Sequence, residues 1–329
     1  MRQACRYSLA GNRTSKIHDD LLADALDRAF SYSYDPNDRL TQERIMTGTS
    51  LTGTIASTTL YDYGTLSAAG ALTPGTTLAR VTKYEGADTT STGTKLSQTE
   101  YRYDVAGKTA EVKVDSFGTS PTSITTQFTY DHAGSRLSQR VTEGGVTKTT
   151  LYTVDANNPT GYAQVIEERT TTSGASGTQV RTSYTIGLDV IAQQSAERSE
   201  TSPGTWSAWQ QQELRTLLYD GHGSTRAVMI GTGEGAPNSI PPILPAQIAP
   251  GQLFTYDAYG QMLPRFNGTS EVTVTPLTTL LYSGEQTDAS TGLQYLRARY
   301  YSPSVGRFTT MDPFPGLQSD PQSLHKYLY

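Results

Sequence analysis

The sequence contains one cysteine, few charged residues and no long hydrophobic run, and each shortage excludes a class of protein. A lone Cys5 excludes an internal disulfide framework and a cysteine-based metal cluster. No stretch approaches the ~20 apolar residues of a membrane-spanning helix, and the N-terminal residues lack the apolar core of a signal peptide. The formal charge of -5 offers no basic surface to nucleic acid. The four histidines are scattered rather than paired at ligand spacing, so we expect neither a metal nor a cofactor.

The residues that replace charge are serine, threonine, glycine and tyrosine. Charged residues make up 17% of the 329 positions, against about 25% in typical proteins. Disorder usually needs high charge as well as low hydrophobicity, so this composition argues against a disordered chain. Threonine and the 21 tyrosines favour strands, and glycine favours tight turns between them. Together with the alternating runs and Tyr-Asp turns described next, this composition predicts an all-β protein with under ~10% helix.

One unit recurs along the chain: an alternating run that ends in Tyr-Asp and is followed, in most copies, by glycine three residues after the aspartate. The clearest copies carry Tyr34-Asp35, Tyr103-Asp104, Tyr130-Asp131, Tyr219-Asp220 and Tyr256-Asp257. Weaker copies lie at 7–13, 60–66 and 151–162. The spacing is loose, which indicates insertions at the turns between repeated supersecondary units.

The chemistry of the unit predicts an antiparallel hairpin. Asp131 ends a strand, and its carboxylate can accept from backbone N–H groups two or three residues further on. Gly134, like Gly107 in another copy, provides the positive φ of a tight turn. One hairpin is unstable alone, so neighbouring hairpins must stack. The tyrosines either pack this wall, with bonded or hydrated hydroxyls, or form an aromatic platform for sugars, and the composition favours packing.

Two segments interrupt the pattern. Residues 18–30 carry leucines near helical spacing and predict either one short helix or a long hairpin loop. Residues 237–251 contain five prolines, which excludes a central strand and indicates an insertion or an extended wall segment.

The C-terminal part, from Leu280, resembles the RHS-repeat-associated core domain of bacterial RHS/YD-repeat proteins. The matching residues are Tyr282, Gly284, Asp288, Thr291, Gly292, Leu293, Tyr295, Leu296, Arg297, Ala298, Arg299, Tyr300, Tyr301, Pro303, Gly306, Arg307, Phe308, Asp312 and Pro313. The upstream Tyr-Asp units match the YD repeat of the same family. The resemblance divides the chain into a repeat segment, 1–279, and a truncated core segment, 280–329.

The resemblance implies an antiparallel β-hairpin ribbon that spirals into part of a hollow shell, as in the Tc-toxin cocoon and the teneurin shell. Such shells enclose the protein's own C-terminal effector domain, often a toxin, and are secreted or displayed at the cell surface. The sequence ends at 325–329, before the segments with which family members continue, so we expect a fragment of a longer protein. The resemblance thus implies a structural wall rather than an enzyme.

Some members of this family cut off their cargo with an aspartyl autoprotease in the core, and Asp312 and Asp320 are the candidates for that pair. Two carboxylates in one buried site have separated pKa values, so one can act as acid and the other as base. The alternative is that both are turn aspartates before proline. Arg297, Arg299 and Arg307 could orient these carboxylates, or else pair with other carboxylates and stack on tyrosines.

Residues 293–301 carry apolar side chains on both faces, which predicts a strand covered on both sides, with Leu296 and Tyr300 against the wall. Arginines there need carboxylate partners, which are expected among Glu285, Asp288 and Asp312. A tight turn is expected at 306–308, with Phe308 in the same apolar seam.

A rival hypothesis assigns the same ribbon to an extracellular adhesin or filament subunit without cargo. Exposed strand edges are templates for strand addition and would allow self-association.

Overall fold

The structure is a computed structural model that describes residues 2–8, 12–19, 27–90, 92–174, 177–231, 247–267, 270–272 and 274–329. Within these ranges the chain forms strands and turns, with short 3-10 segments at Tyr282–Gly284 and Pro321–Leu324 and no α-helix. The predicted all-β class is confirmed. The described residues also contain no helix with the length and hydrophobicity needed to cross a membrane.

The chain divides into two compact units, the first comprising 1–124 and 307–329. Its strands are β1 (Arg2–Tyr7), β2 (Arg13–Asp19), β3 (Arg28–Tyr34), β4 (Leu40–Thr47), β5 (Ile55–Leu66), β6 (Leu72–Glu85), β7 (Lys95–Tyr103) and β8 (Thr109–Ser116). Each pairs antiparallel with the next along the chain. Strand β9 (Thr122–Tyr130) starts in this unit and ends in the second.

The second unit comprises 125–306. Its strands are β10 (Arg136–Glu143), β11 (Val146–Asp155), β12 (Gln164–Thr172), β13 (Thr178–Ile186), β14 (Val190–Ser202), β15 (Thr205–Trp206), β16 (Gln210–Tyr219), β17 (Thr225–Ile230), β18 (Gln247–Leu253), β19 (Arg265–Asn267), β20 (Ser270–Val272), β21 (Gln286–Asp288), β22 (Leu293–Leu296) and β23 (Arg299–Ser302). From β10 to β14 each strand pairs antiparallel with the next, and β16 continues the sheet to β17 and β18. Short strand β24 (Arg307–Phe308) belongs to the first unit.

The buried core of the second unit joins the hairpin sheet to the start of the C-terminal segment. Val190, Leu217 and Val228 come from three strands of the sheet, and Leu280 and Leu281 pack against them. Burying a Leu or Val side chain contributes about 1.5–3 kcal/mol. The sheet and the C-terminal segment of this unit are therefore held together by a shared hydrophobic core. The predicted domain boundary at 280 lies inside this unit and stays a prediction.

Both interruptions of the repeat adjoin strands. The ends of the segment 18–30 lie in β2 and β3, and residues 20–26, on which the prediction of a helix or a hairpin loop falls, lie outside the described part. Of the proline-rich segment, residues 237–246 fall outside the described part and the rest begins β18. Pro250 lies where the pairing of β18 with β17 shifts register, as expected for a residue without an N–H donor.

The weak repeat copy at 60–66 is wrong as a turn. Asp62 lies inside the twelve-residue strand β5 and pairs with Arg80. Its glycine, Gly64, follows after two residues instead of three, so the chain has no positive-φ residue at the position that closes the other turns.

Candidate functional site

The same turn closes the five Tyr-Asp hairpins. At Asp131, the carboxylate Oδ1 accepts the N–H groups of Ala133 and Ser135 at 2.9 and 2.8 Å, and the aspartate's own N–H donates to the Ser135 carbonyl. Asp35, Asp104, Asp220 and Asp257 make the equivalent bonds. The acceptor pattern is therefore two and four residues on, rather than two or three. The N–H of the third residue does not reach the carboxylate, because it donates to the main-chain carbonyl of the aspartate.

The third residue after each aspartate has a positive φ, as the repeat requires. The values are +77° at Gly107, +83° at Gly134, +78° at Gly223 and +83° at Gly260. The first copy has Asp38 there, at +58°. Glycine adopts this conformation without strain, whereas a residue with a Cβ does so at a cost.

The repeat tyrosines join each hairpin to an earlier one. The hydroxyl of Tyr34 donates to the carbonyl of Arg13 at 2.7 Å, and that of Tyr103 donates to the carbonyl of Leu78 at 2.6 Å. In the second unit, Tyr219 and Tyr256 donate to the carbonyls of Val190 and Thr225. Burial raises the pKa of Tyr103, Tyr219 and Tyr256, so these hydroxyls remain donors. These bonds support the packing interpretation of the tyrosines over a sugar platform.

Tyr130 departs from this pattern because its hydroxyl bonds to that of Tyr300, in the C-terminal segment. The ring of Tyr300 also lies 5.1 Å from that of Phe128 and is 2% exposed. The prediction that Tyr300 packs against the wall is confirmed. Leu296, the other predicted contact, is only partly buried.

The prediction of one strand over 293–301 is wrong. The chain reverses between β22 and β23, where Arg297 has φ +56° and the Ala298 N–H donates to the Leu296 carbonyl at 2.6 Å. Tyr295 and Tyr300 lie directly opposite each other in this hairpin. The mixed apolar pattern arises because a reversal in mid-run changes which positions share a face.

A buried arginine that the sequence analysis missed fixes this hairpin to the sheet. Arg136, at the start of β10, donates from Nη1 to both carboxylate oxygens of Asp288 at 2.9 and 2.7 Å. Its Nη2 donates to Gln286 Oε1 at 2.8 Å. The guanidinium lies between two tyrosine rings, 4.4 Å from the centre of Tyr152 and 4.5 Å from that of Tyr295. We call this set the Arg136 cluster.

The Arg136 cluster had one signal in the sequence. Arg136 is the fifth residue after Asp131, and the equivalent positions carry Leu40, Thr109, Thr225 and Met262, of which the first three are buried and Met262 is partly buried. An arginine at a buried repeat position requires a carboxylate partner from elsewhere in the chain. Sequence spacing could indicate this need, but it could not identify Asp288.

A second carboxylate, Glu168, borders the Arg136 cluster and contacts its Gln286. Oε1 of Glu168 accepts from the Tyr184 hydroxyl at 2.9 Å and from Gln286 Nε2 at 2.5 Å. Burial raises the pKa of Glu168, and Tyr184 and Arg136 only partly offset that effect. For Arg136, burial lowers the pKa, but the Asp288 charge and further contacts outweigh it, so the guanidinium stays protonated. The guanidinium of Arg136 is already paired with Asp288, so the Arg136 cluster serves to hold its own side chains in position.

The three candidate arginines have different surroundings. Arg297 pairs with Glu285 at 2.8 and 3.0 Å, which confirms one predicted partner, and it stacks 4.2 Å from the centre of the Tyr162 ring. Arg299 lies in β23, opposite Leu296, and is partly buried. A role for Arg297 and Arg299 in orienting a carboxylate for catalysis stays a prediction.

Arg307 has its own buried surroundings in the first unit. It donates to the Asp38 carbonyl at 2.9 Å, lies 4.7 Å above the Tyr34 ring and contacts Asn12 and His325. Burial and the neighbouring Arg307 charge lower the pKa of His325 to about 4. The described contacts of Arg307 fix the C-terminal segment to the first hairpin. A carboxylate-orienting role for Arg307 also stays a prediction.

The turn predicted at 306–308 spans the boundary in sequence between the two units. Gly306 has φ +72° and donates to the Ser302 carbonyl at 2.8 Å within the second unit. Phe308 belongs to the first unit and is partly exposed, with its ring 6.0 Å from that of Tyr329. The expected apolar seam of Phe308 with 293–301 stays a prediction.

Asp312 and Asp320 have the geometry of turn residues. Asp312 Oδ1 accepts the Phe314 N–H at 2.9 Å, and the Asp312 N–H donates to the Lys326 carbonyl. The Asp320 carbonyl accepts the Ser323 hydroxyl at 2.7 Å. Asp312 is partly buried and Asp320 is exposed. Autoproteolysis by this pair stays a prediction.

No protein-family model matches the chain. The tRNA nuclease WapA of Bacillus subtilis strain 168 is 48% identical over 48 residues, which are 15% of this chain and 2% of WapA. The tRNA3(Ser)-specific nuclease WapA of Bacillus spizizenii gives the same figures. The chain therefore covers about 2% of the length of these curated relatives.

Two solved structures are similar over 99% of this chain and 18% of their own. The crystal structure of TcdB2-TccC3 without its hypervariable C-terminal region has a TM-score of 0.34 at 15% sequence identity. A Photorhabdus luminescens Tc holotoxin pore has a TM-score of 0.34 at 14% identity.

Proposed function

We propose that this chain is a wall segment of an RHS/YD-repeat container, secreted or displayed at the cell surface, that encloses a C-terminal effector domain of the same protein. The observation that carries this proposal is the repeated joint, in which an aspartate closes each hairpin and a tyrosine ties it to an earlier one. Such joints make a continuous rigid wall from units that are unstable singly.

The Arg136 cluster supports a role for the C-terminal segment in closing the proposed container against the sheet. Asp288, Tyr295 and Tyr300 belong to the motif that carries the family resemblance, and all three contact Arg136 of the sheet. Their contacts attach the C-terminal segment to the sheet. We therefore assign these motif residues a structural role.

The test uses the full-length natural protein, including whatever is encoded beyond Tyr329. The protein is treated with proteinase K, and survival of the region after 329 is followed by immunoblot. Enclosure predicts that this region resists digestion far longer than the same region produced alone. Arg136→Met should shorten the protection, whereas Arg140→Met, which removes an exposed arginine from the same strand, should not.

Equal digestion of the enclosed and isolated regions would refute the container. A natural chain that stops shortly after the core, with self-association through strand edges, would support the adhesin or filament instead. Autoproteolysis is tested separately, by a cleavage product of the full-length protein that disappears in Asp312→Asn or Asp320→Asn.

A further inference from the structure

The two tryptophans of the chain lie together on the sheet of the second unit, stacked with arginines. The Arg198 guanidinium is 4.5 Å from the centre of the Trp209 ring and 5.2 Å from that of Trp206. Arg181 lies 5.1 Å from the centre of Trp209. All four side chains are partly exposed. We call these four residues the Trp-Arg patch.

The Trp-Arg patch faces away from the C-terminal segment of its own unit. Gln193 in β14 donates to the Leu277 carbonyl at 2.8 Å, so its face of the sheet is the covered one. The β13–β14 pairing runs without a shift from Thr178↔Ser199 to Thr185↔Ala192. Side chains alternate along a strand, and Arg198 is an odd number of residues from Gln193. Arg198, and Arg181 opposite Ala196, therefore lie on the other face of this sheet.

The face that carries the patch holds three arginines, Arg169, Arg181 and Arg198, beside two carboxylates, Glu167 and Glu200. Arg181 is directly opposite Arg169 on the neighbouring strand, an arrangement that destabilises an antiparallel pair. Arg169 has a carboxylate partner, Glu167, at 3.2 Å. Neither Arg181 nor Arg198 forms an ion pair within the described part of the chain. A negatively charged ligand would relieve this repulsion.

The arginines are held with donors to spare. Arg198 directs Nε and Nη2 to one oxygen, Gln179 Oε1, at 2.9 and 2.6 Å, which leaves Nη1 available. Stacking on indole rings fixes the guanidinium plane, and planar guanidinium groups bind carboxylates through paired hydrogen bonds. Leu214, 48% exposed and paired with Gln194 on the same face, adds apolar surface nearby.

We propose that the Trp-Arg patch is a docking surface for an acidic segment of a partner protein. Carboxylates would bind the two guanidinium groups, and an apolar or aromatic side chain of the partner would cover the indoles and Leu214. Tryptophan and arginine dominate the binding energy of protein interfaces, and here both occur with unpaired charge. This proposal is independent of the container, because an adhesin would present the same face.

The test exploits the fact that the chain has two tryptophans, both in the patch. The full chain is titrated with a random copolymer of glutamate and tyrosine, and tryptophan emission is followed with excitation selective for indole. Docking predicts a saturable change whose midpoint rises with salt. Arg181→Met and Arg198→Met should each weaken binding about tenfold. Arg140→Met, which removes the same charge four strands away from Arg198, should change binding less than about twofold.

Arg198→Lys keeps the charge and provides a milder variant if Arg198→Met perturbs the sheet, and it should weaken binding less than Met does. The salt dependence of the wild-type titration needs no variant at all. The absence of a saturable change would overturn the proposal, as would wild-type affinity in both methionine variants. Equal binding of dextran sulfate would also overturn it, because the patch would then recognise charge without selecting a polypeptide.

Discussion

Removal of Arg136 should be the most destabilising single change in the second unit. Its side chain is 2% exposed and that of Asp288 is 5% exposed, so Arg136→Met leaves a carboxylate uncompensated in a buried site. Breaking a buried pair by removing one partner costs about 3–5 kcal/mol. Asp288→Leu should cost a similar amount, because it leaves the guanidinium without its anion.

The double variant Arg136→Met/Asp288→Leu separates the pair from its surroundings. Replacing both charges with apolar groups of similar volume is often nearly neutral, so the double variant should cost much less than the sum of the single variants. The coupling energy should be about 3 kcal/mol or more. For comparison, breaking the exposed pair of Arg169 and Glu167 should cost under about 1 kcal/mol.

Urea unfolding monitored by tryptophan emission measures these effects in the second unit, because Trp206 and Trp209 both lie there. The slope of the free energy against urea should stay unchanged, so that the midpoint reports stability. Additive single costs, or an Arg136→Met cost below about 1 kcal/mol, would refute the idea that this pair fixes the C-terminal hairpin to the sheet.

Three further predictions concern the repeat and the C-terminal segment. Gly107→Val should destabilise by about 1–2 kcal/mol through backbone strain alone, since an added Cβ meets no atom within 4 Å, and urea unfolding by circular dichroism would show it. Tyr103→Phe should cost about 1–3 kcal/mol in the same assay, because it leaves the Leu78 carbonyl without its donor; an unchanged midpoint would contradict the joint. His325 has a folded pKa of about 4, below its usual 6.5, so the unfolded chain binds the extra proton and stability should fall as pH drops from 6.5 towards 4. His325→Gln should remove that part of the pH dependence.

The turns could be predicted from sequence because their chemistry is local. Asp131 and Gly134 lie three residues apart, and the bonds that define the turn stay within five residues. The error in the acceptor position arose because the glycine N–H bonds to the main-chain carbonyl, a detail that composition does not encode. The residue at +58° in the first copy, Asp38, shows that the turn also forms without glycine.

The anchoring contacts could not be predicted because they join residues far apart in the chain. Asp288 was recognised as a carboxylate that would pair with an arginine, but two nearby arginines in the sequence were the evident partners. The actual partner, Arg136, is 152 residues away. The reversal at Arg297 was missed for a different reason: a two-residue turn without glycine leaves no local signal.

The tyrosine joints also have a direction. Tyr34, Tyr103, Tyr219 and Tyr256 each bond to a carbonyl that precedes them by 21 to 31 residues. During synthesis, the acceptor of each of these bonds is therefore made before its tyrosine, and the sheet can extend one hairpin at a time in chain order.

Tyr130 is the exception in that sequence of events, because its partner, Tyr300, emerges much later. If the hairpins form in chain order, the Tyr130 hydroxyl lacks its Tyr300 partner until the C-terminal hairpin has formed. The Tyr130–Tyr300 contact can therefore form only after the C-terminal hairpin of the second unit has been synthesised.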